Sequence, residues 1–118
     1  MTLLILAALI SLLAGVLSGL LGIGGGLVLV PFFHYLLKMD MHVAVGTSLA
    51  VIVPTALVGT LRHASGSFVD WRIFIFSVLF SILGGLIGAS ISMNLDVIVL
   101  RKIFAVFLIL VAIKMFVQ

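Results

Sequence analysis

Charged positions are sparse along this chain, and their placement divides it. Asp, Glu, Lys and Arg are absent from residues 2 to 37, 41 to 61 and 73 to 95. A membrane span needs about 20 mostly apolar residues to cross a hydrocarbon core of about 30 Å, and each of these runs is long enough. The pattern predicts an all-α, polytopic integral membrane helix bundle. Five helical segments are expected, over about 2–21, 26–37, 43–61, 72–92 and 97–117. The first uncharged run cannot be one helix, because residues 2 to 37 would measure about 54 Å at about 1.5 Å per residue. It must break, and the place is marked by Gly22-Ile23-Gly24-Gly25-Gly26. The result is a glycine-broken first helix pair whose second member, about 18 Å long, is either a short steep span or a re-entrant half-helix.

The connections carry turn and interface chemistry. Residues 38 to 42 form a tight polar turn, residues 62 to 70 the longest loop, and Asn94-Leu95-Asp96 a turn and cap before the last helix. Asp70 is placed to cap the fourth helix through its side-chain oxygen. Trp71 and Arg72 suit the headgroup level, and Arg101 and Lys102 can reach it on their long stems. Pro31 and Pro54 remove backbone donors and are expected to kink their helices. Small residues recur four apart: Ala7, Ser11, Gly15 and Gly19 on the first helix, and Ser77, Ser81, Gly85 and Ala89 on the fourth. Gly84, Gly88 and Ser92 form an adjacent stripe. In lipid, close backbone approach at such stripes holds helices together, so both are expected to be packing faces. A stripe lining a substrate path would have the same spacing.

Composition agrees with a bilayer as the surroundings. Of 118 residues, 65% are hydrophobic and 8% charged, with a mean hydropathy of +1.60. A soluble domain carries roughly 25% charged residues to cover its core. The chain therefore reads as a single transmembrane domain over 1–118. The net charge of +3 comes from six basic residues scattered over four places, which is no nucleic-acid footprint. Without cysteine there can be no disulfide, thiolate metal site or cysteine nucleophile. The first segment lacks a basic n-region and is too long for a signal-peptide core, so it reads as the first helix of the structure.

The glycine run fits neither nucleotide motif. No lysine precedes Lys38, as a P-loop requires, and a Gly-x-Gly-x-x-Gly count from Gly22 or Gly24 ends on Leu27 or Leu29. No cofactor is expected. Unwound backbone at membrane depth is tolerated where it is buried in protein or lines a wet cavity, and a helix starting there offers free N–H groups to an anion. A kink that only lets helices pack is the other reading. Gly46-Thr47-Ser48 repeats the theme: its hydroxyls either donate to the same ligand or bond back to a carbonyl one turn earlier. There is no glutamate, and the three aspartates lie in turns or caps, so no carboxylate is available mid-membrane as a proton relay. His34, His42 and His63 are the only side chains of the type that changes charge near neutrality, and no nucleophile, base and acid can be assembled into an enzyme.

The runs Gly22-Ile23-Gly24-Gly25-Gly26 to Pro31, His42-Val43-Ala44-Val45-Gly46-Thr47-Ser48, Val69-Asp70-Trp71-Arg72, and Gly84-Gly85 through Gly88 together resemble the sulfite exporter TauE/SafE family. The resemblance covers nearly the whole chain in order. It implies a multi-pass permease of the inner cell membrane, exporting small sulfur-containing anions such as sulfite or organosulfonates. Members of that family are about twice this length with two related halves, so the chain resembles one half-repeat, working as a homodimer or with a second half. An anion channel and a non-transporting membrane subunit are the alternative readings. Every Arg and Lys falls at or near a helix end or turn. An anion held deep in the membrane would therefore rest on backbone N–H groups of Gly24, Gly25 and Gly26, with the Thr47 and Ser48 hydroxyls contributing.

Five passes put Lys38, Arg101 and Lys102 on the N-terminal side and Arg62, Arg72 and Lys114 on the other. This lysine and arginine count, which normally fixes orientation, is balanced. A weak orientation preference is expected, with dual topology and an antiparallel homodimer as its extreme form; reporters fused to the C-terminus that show a single strong orientation would rule out dual topology.

Overall fold

The computed structural model describes residues 1–118, which form five helices and no strand. They are α1 (Thr2–Leu21), α2 (Gly26–Tyr35), α3 (Met41–Ser65), α4 (Trp71–Asn94) and α5 (Val97–Val117). Helix α1 ends because Gly22 turns left-handed, at φ 68° and ψ 18°, and donates its N–H to Ser18 O at 2.8 Å. Gly24 and Gly25 follow with φ of 73° and 75°. Three left-handed residues within four reverse the chain, and α2 begins at once. Glycine adopts this conformation without the steric cost a Cβ would bring.

Side-chain caps set the starts of α3 and α4, whereas Asp96, expected to cap α5, makes no side-chain hydrogen bond at that helix start. Asp40 Oδ1 accepts from the His42 N–H at 2.9 Å, which begins α3 at Met41 rather than Val43. Asp70 Oδ1 accepts from the N–H groups of Arg72 and Ile73, at 3.0 and 3.2 Å, and fixes the start of α4. At its far end α3 runs past Leu61 to Ser65, so Arg62 and His63 are helical. The charge at Arg62 ends the apolar run, but no helix breaker occurs before Gly66. Helix α2 is shorter than the apolar pattern suggests and stops at Tyr35. The chain folds back there: Met39 N–H donates to Phe33 O, and His34 Nδ1 lies 2.8 Å from Met39 O.

Helices α1, α3 and α4 are long and apolar enough to span a bilayer. Helix α5 has the length but carries Arg101, Lys102 and Lys114. With ten residues, α2 measures about 15 Å and cannot cross on its own. The neighbours of α1 on α3 advance together, from Gly15 beside Thr55 to Gly19 beside His63, so the two helices run in the same sense. Two spans of the same sense need the chain to return between them, and α2 with its flanking turns supplies that return. His42 Nε2, 2.8 Å from Leu95 O, ties the start of α3 to the α4–α5 turn at the same end of the bundle.

The core lies where α1, α2 and α3 meet, at Ile10, Ala14, Leu29, Phe33 and Ala44. Ala14 and Ala44 are 1% and 0% exposed, and their small size allows the close approach of the three helices. The small-residue face of α1 meets α3: Ser11, Gly15 and Gly19 border one cleft with Pro54, Thr55 and Gly59. The face on α4 does not behave as expected. Helix α4 has no buried residue, and a Cβ on Gly84, Gly85 or Gly88 would meet nothing within 4 Å. Within this chain the α4 stripe has no helix to pack against.

Ala44→Leu is expected to overpack the α1–α2–α3 junction and destabilise the chain by about 1–3 kcal/mol. Gly85→Leu should leave the isolated chain as stable as before. Thermal unfolding of the two variants in detergent tests the assignment, and equal melting temperatures would contradict it.

Candidate functional site

The site begins with what the glycine turn does to backbone hydrogen bonding. Gly22 N–H closes α1, and the next N–H groups to find a backbone acceptor are those of Val28 and Leu29, both on Gly25 O. The N–H groups of residues 23 to 27 have no partner in the chain, one more than an ordinary helix start leaves free. Ile23 is exposed, while Gly24, Gly26 and Leu27 are half-buried and Gly25 is buried. Gly25 is buried against α1, where a Cβ would lie 3.6 Å from both Ala14 O and Ser18 Cβ. Gly24 and Gly26 face α3, where added Cβ atoms would meet Ile52 at 3.7 and 3.1 Å. Ile52 stands close to the middle of the 25-residue α3, so the turn lies near half-height on a helix about 37 Å long. The N-terminal end of the α2 dipole adds positive potential at the same place.

A cavity of about 360 Å³ adjoins this turn. Gly22 and Gly24 form one wall, with Ser18 and Gly19 at the end of α1. Thr55, Gly59, Thr60 and His63 of α3 form the opposite wall, and Phe68, Val69 and Phe74 cover one side. His63 Nε2 lies 3.2 Å from Gly19 O, bridging α3 to a carbonyl left free at the end of α1. Thr55 donates its hydroxyl to Val51 O at 2.8 Å.

Of the residues singled out in the sequence, Gly24 lines this cavity, and Gly25 and Gly26 form the packed turn behind it. Thr47 and Ser48 do not line it. Ser48 is 2% exposed and donates its hydroxyl to Val45 O at 2.8 Å, so its one proton is used within the helix. It lies one helical turn before Ile52. Thr47 is half-buried and makes no side-chain hydrogen bond. The cavity residues Ser18, Thr55, Thr60 and His63 were not legible as a group. The signal was the i, i+4, i+8 spacing of Thr55, Gly59 and His63 along one helix face, which emerges only once α3 continues beyond Arg62.

A polytopic helical membrane protein whose first helix breaks at glycines and folds back as a short buried helix has the build of a membrane transporter. The family model for sulfite exporter TauE/SafE matches residues 2–117, and the chain belongs to that family. Among curated proteins it is 38% identical to a "Probable membrane transporter protein" of Haemophilus influenzae, over 97% of this chain and 46% of that protein. It is 34% identical to the "Probable membrane transporter protein YunE" of Bacillus subtilis, over 86% of this chain and 37% of that one. A third relative, the "Probable membrane transporter protein MJ0441" of Methanocaldococcus jannaschii, is 32% identical over 93% and 43%. The chain spans less than half the length of these relatives. No solved structure matches it.

The geometry separates two kinds of glycine. Gly25→Ala meets only ordinary contacts but forces a side chain into a left-handed backbone, and is expected to cost about 1–2 kcal/mol. Gly46→Ala lies in open space within α3 and should stabilise by about 0.5–1 kcal/mol. Melting in detergent reads both, and a Gly25→Ala protein as stable as the parent would show that the turn relaxes to another conformation.

Proposed function

We propose that this chain is one half of a permease that exports small sulfur-containing anions, such as sulfite or organosulfonates, across the inner cell membrane. The observation that carries the proposal is the row of unpartnered N–H groups from residue 23 to 27, within an apolar bundle and near half-height on α3. An anion stripped of water needs donors, and these are the donors at that depth; Arg and Lys side chains stand at or near helix ends and turns. In this reading Gly24, Gly25 and Gly26 bind the anion through the backbone. Thr47 and Ser48 contribute hydroxyls, the latter by releasing Val45 O. Export needs no coupling ion, since each negative charge leaving a cell with a negative interior gains about 2.3 kcal/mol per 100 mV. The absence of intramembrane carboxylates fits that economy.

The relatives' greater length and the bare face of α4 support a working unit of two halves, a second copy or a homologous partner. A helix with Gly84, Gly85 and Gly88 exposed gives up helix stability with no gain inside its own chain. Closure against a second half would restore the gain. On this reading Gly85→Leu leaves the single chain folded and abolishes its assembly and transport.

Flux of sulfite and of an organosulfonate in proteoliposomes tests the proposal. Gly25→Val is expected to abolish flux while insertion persists. Thr47→Ala with Ser48→Ala should raise the concentration for half-maximal flux more than it lowers expression. Wild-type flux through a well-expressed Gly25→Val protein would show that the glycine turn serves packing and that the anion crosses elsewhere.

A further inference from the structure

We infer that the anion site is completed on the cavity side by Ser18, Thr60 and His63, and that protonation of His63 makes its anion affinity pH-dependent. The inference rests on the reading that the free N–H groups of the glycine turn face an anion.

Ser18 provides the first ground. It is 7% exposed, yet its hydroxyl makes no hydrogen bond in the chain. Ser48, Thr55, Ser65 and Ser90 each donate to a carbonyl three or four residues back. No side-chain oxygen in the chain is both sealed from solvent and unpaired, so the Ser18 hydroxyl opens onto the cavity it lines. A hydroxyl without a partner in the protein is free to donate to a ligand entering the cavity. Its Cβ lies against the glycine turn, so this donor and the free N–H groups border the same space. Thr60 adds a second hydroxyl from the opposite wall.

His63 provides the second ground. It is the one ionisable residue lining the cavity. With Nε2–H donating to Gly19 O, the neutral ring presents Nδ1 as an acceptor, which an anion avoids. Protonation turns Nδ1 into a donor and places a positive charge at the cavity wall, without breaking the bridge to Gly19. Histidine is the side chain suited to that change near neutral pH. The elements around it do not supply a competing charge at the wall. Helix α1 and the glycine turn carry no Asp, Glu, Lys, Arg or His. The loop and α4 bring Asp70 and Arg72, of which Asp70 is engaged by the N–H groups of Arg72 and Ile73. On α3 itself the neighbouring cation is Arg62, which borders the cleft on the other side of the α1–α3 contact.

Methanesulfonate is the probe, because its single negative charge does not change over the pH range used and any pH effect belongs to the protein. The full chain in detergent is melted with increasing sodium methanesulfonate, against sodium chloride at equal ionic strength. The parent protein should be stabilised by methanesulfonate, with apparent affinity about tenfold tighter at about pH 5.5 than at about pH 8. His63→Gln, which keeps a neutral side-chain donor, should bind equally at both pH values and at the weaker level. Ser18→Ala should weaken binding at both pH values and keep their ratio. Stabilisation absent from the parent at low pH, an unchanged pH ratio in His63→Gln, or parental affinity in Ser18→Ala would each overturn the inference. Flux is read separately: binding through His63 without transport keeps this site and removes the export reading.

Discussion

Inside a hydrocarbon core, each backbone N–H or C=O without a partner costs several kcal/mol, so a chain crossing it is nearly forced into unbroken helix. Four glycines in five residues violate that rule at Gly22–Gly26, and the surrounding structure is arranged around the violation. The left-handed turn at Gly22, Gly24 and Gly25 leaves five N–H groups unpaired, and α1 and α3 pack against the three glycines, Gly24 to Gly26, that carry three of them. The same enclosure leaves a cavity beside the turn whose walls carry hydroxyls and one imidazole. The packing and the candidate site therefore have a common origin in the broken helix.

The enclosing contact depends on small side chains. Ala14 and Ala44 disappear into the junction of α1, α2 and α3, and Gly15 lets α3 approach to within 4.0 Å of where a Cβ would stand. Helix α2, too short to span, gains its stability from burying Leu29, Val30 and Phe33 against its neighbours. Helix α4 shows the opposite case. It has the length, hydropathy and small residues of a packed span, and in this chain only the surroundings cover it. The relatives are more than twice as long, and within this chain that face stays bare.

The five-helix organisation, the position of the break and the cap at Asp70 were legible from residues alone, because each rests on a local rule. Charge cannot sit in hydrocarbon, glycine permits left-handed backbone, and a carboxylate accepts from a helix start. The ends of α3 were less legible. The apolar run stops at Leu61, but hydrogen bonding continues to Ser65, since Arg and His are acceptable helix residues once the chain leaves the membrane core. Those last residues carry His63, so the error in helix length concealed one wall of the candidate site.

By itself the sequence determined that the chain is a bundle of membrane helices, broken at one glycine run. These properties depend on composition and spacing along the chain. Only the tertiary structure decided which donors share a space. It set Ser18 and His63 beside Gly24, committed the Ser48 hydroxyl to Val45 O, and left the face of α4 uncovered. Such relations join residues up to dozens of positions apart, and they follow from how closely particular helix faces approach, which a pattern along one helix does not specify.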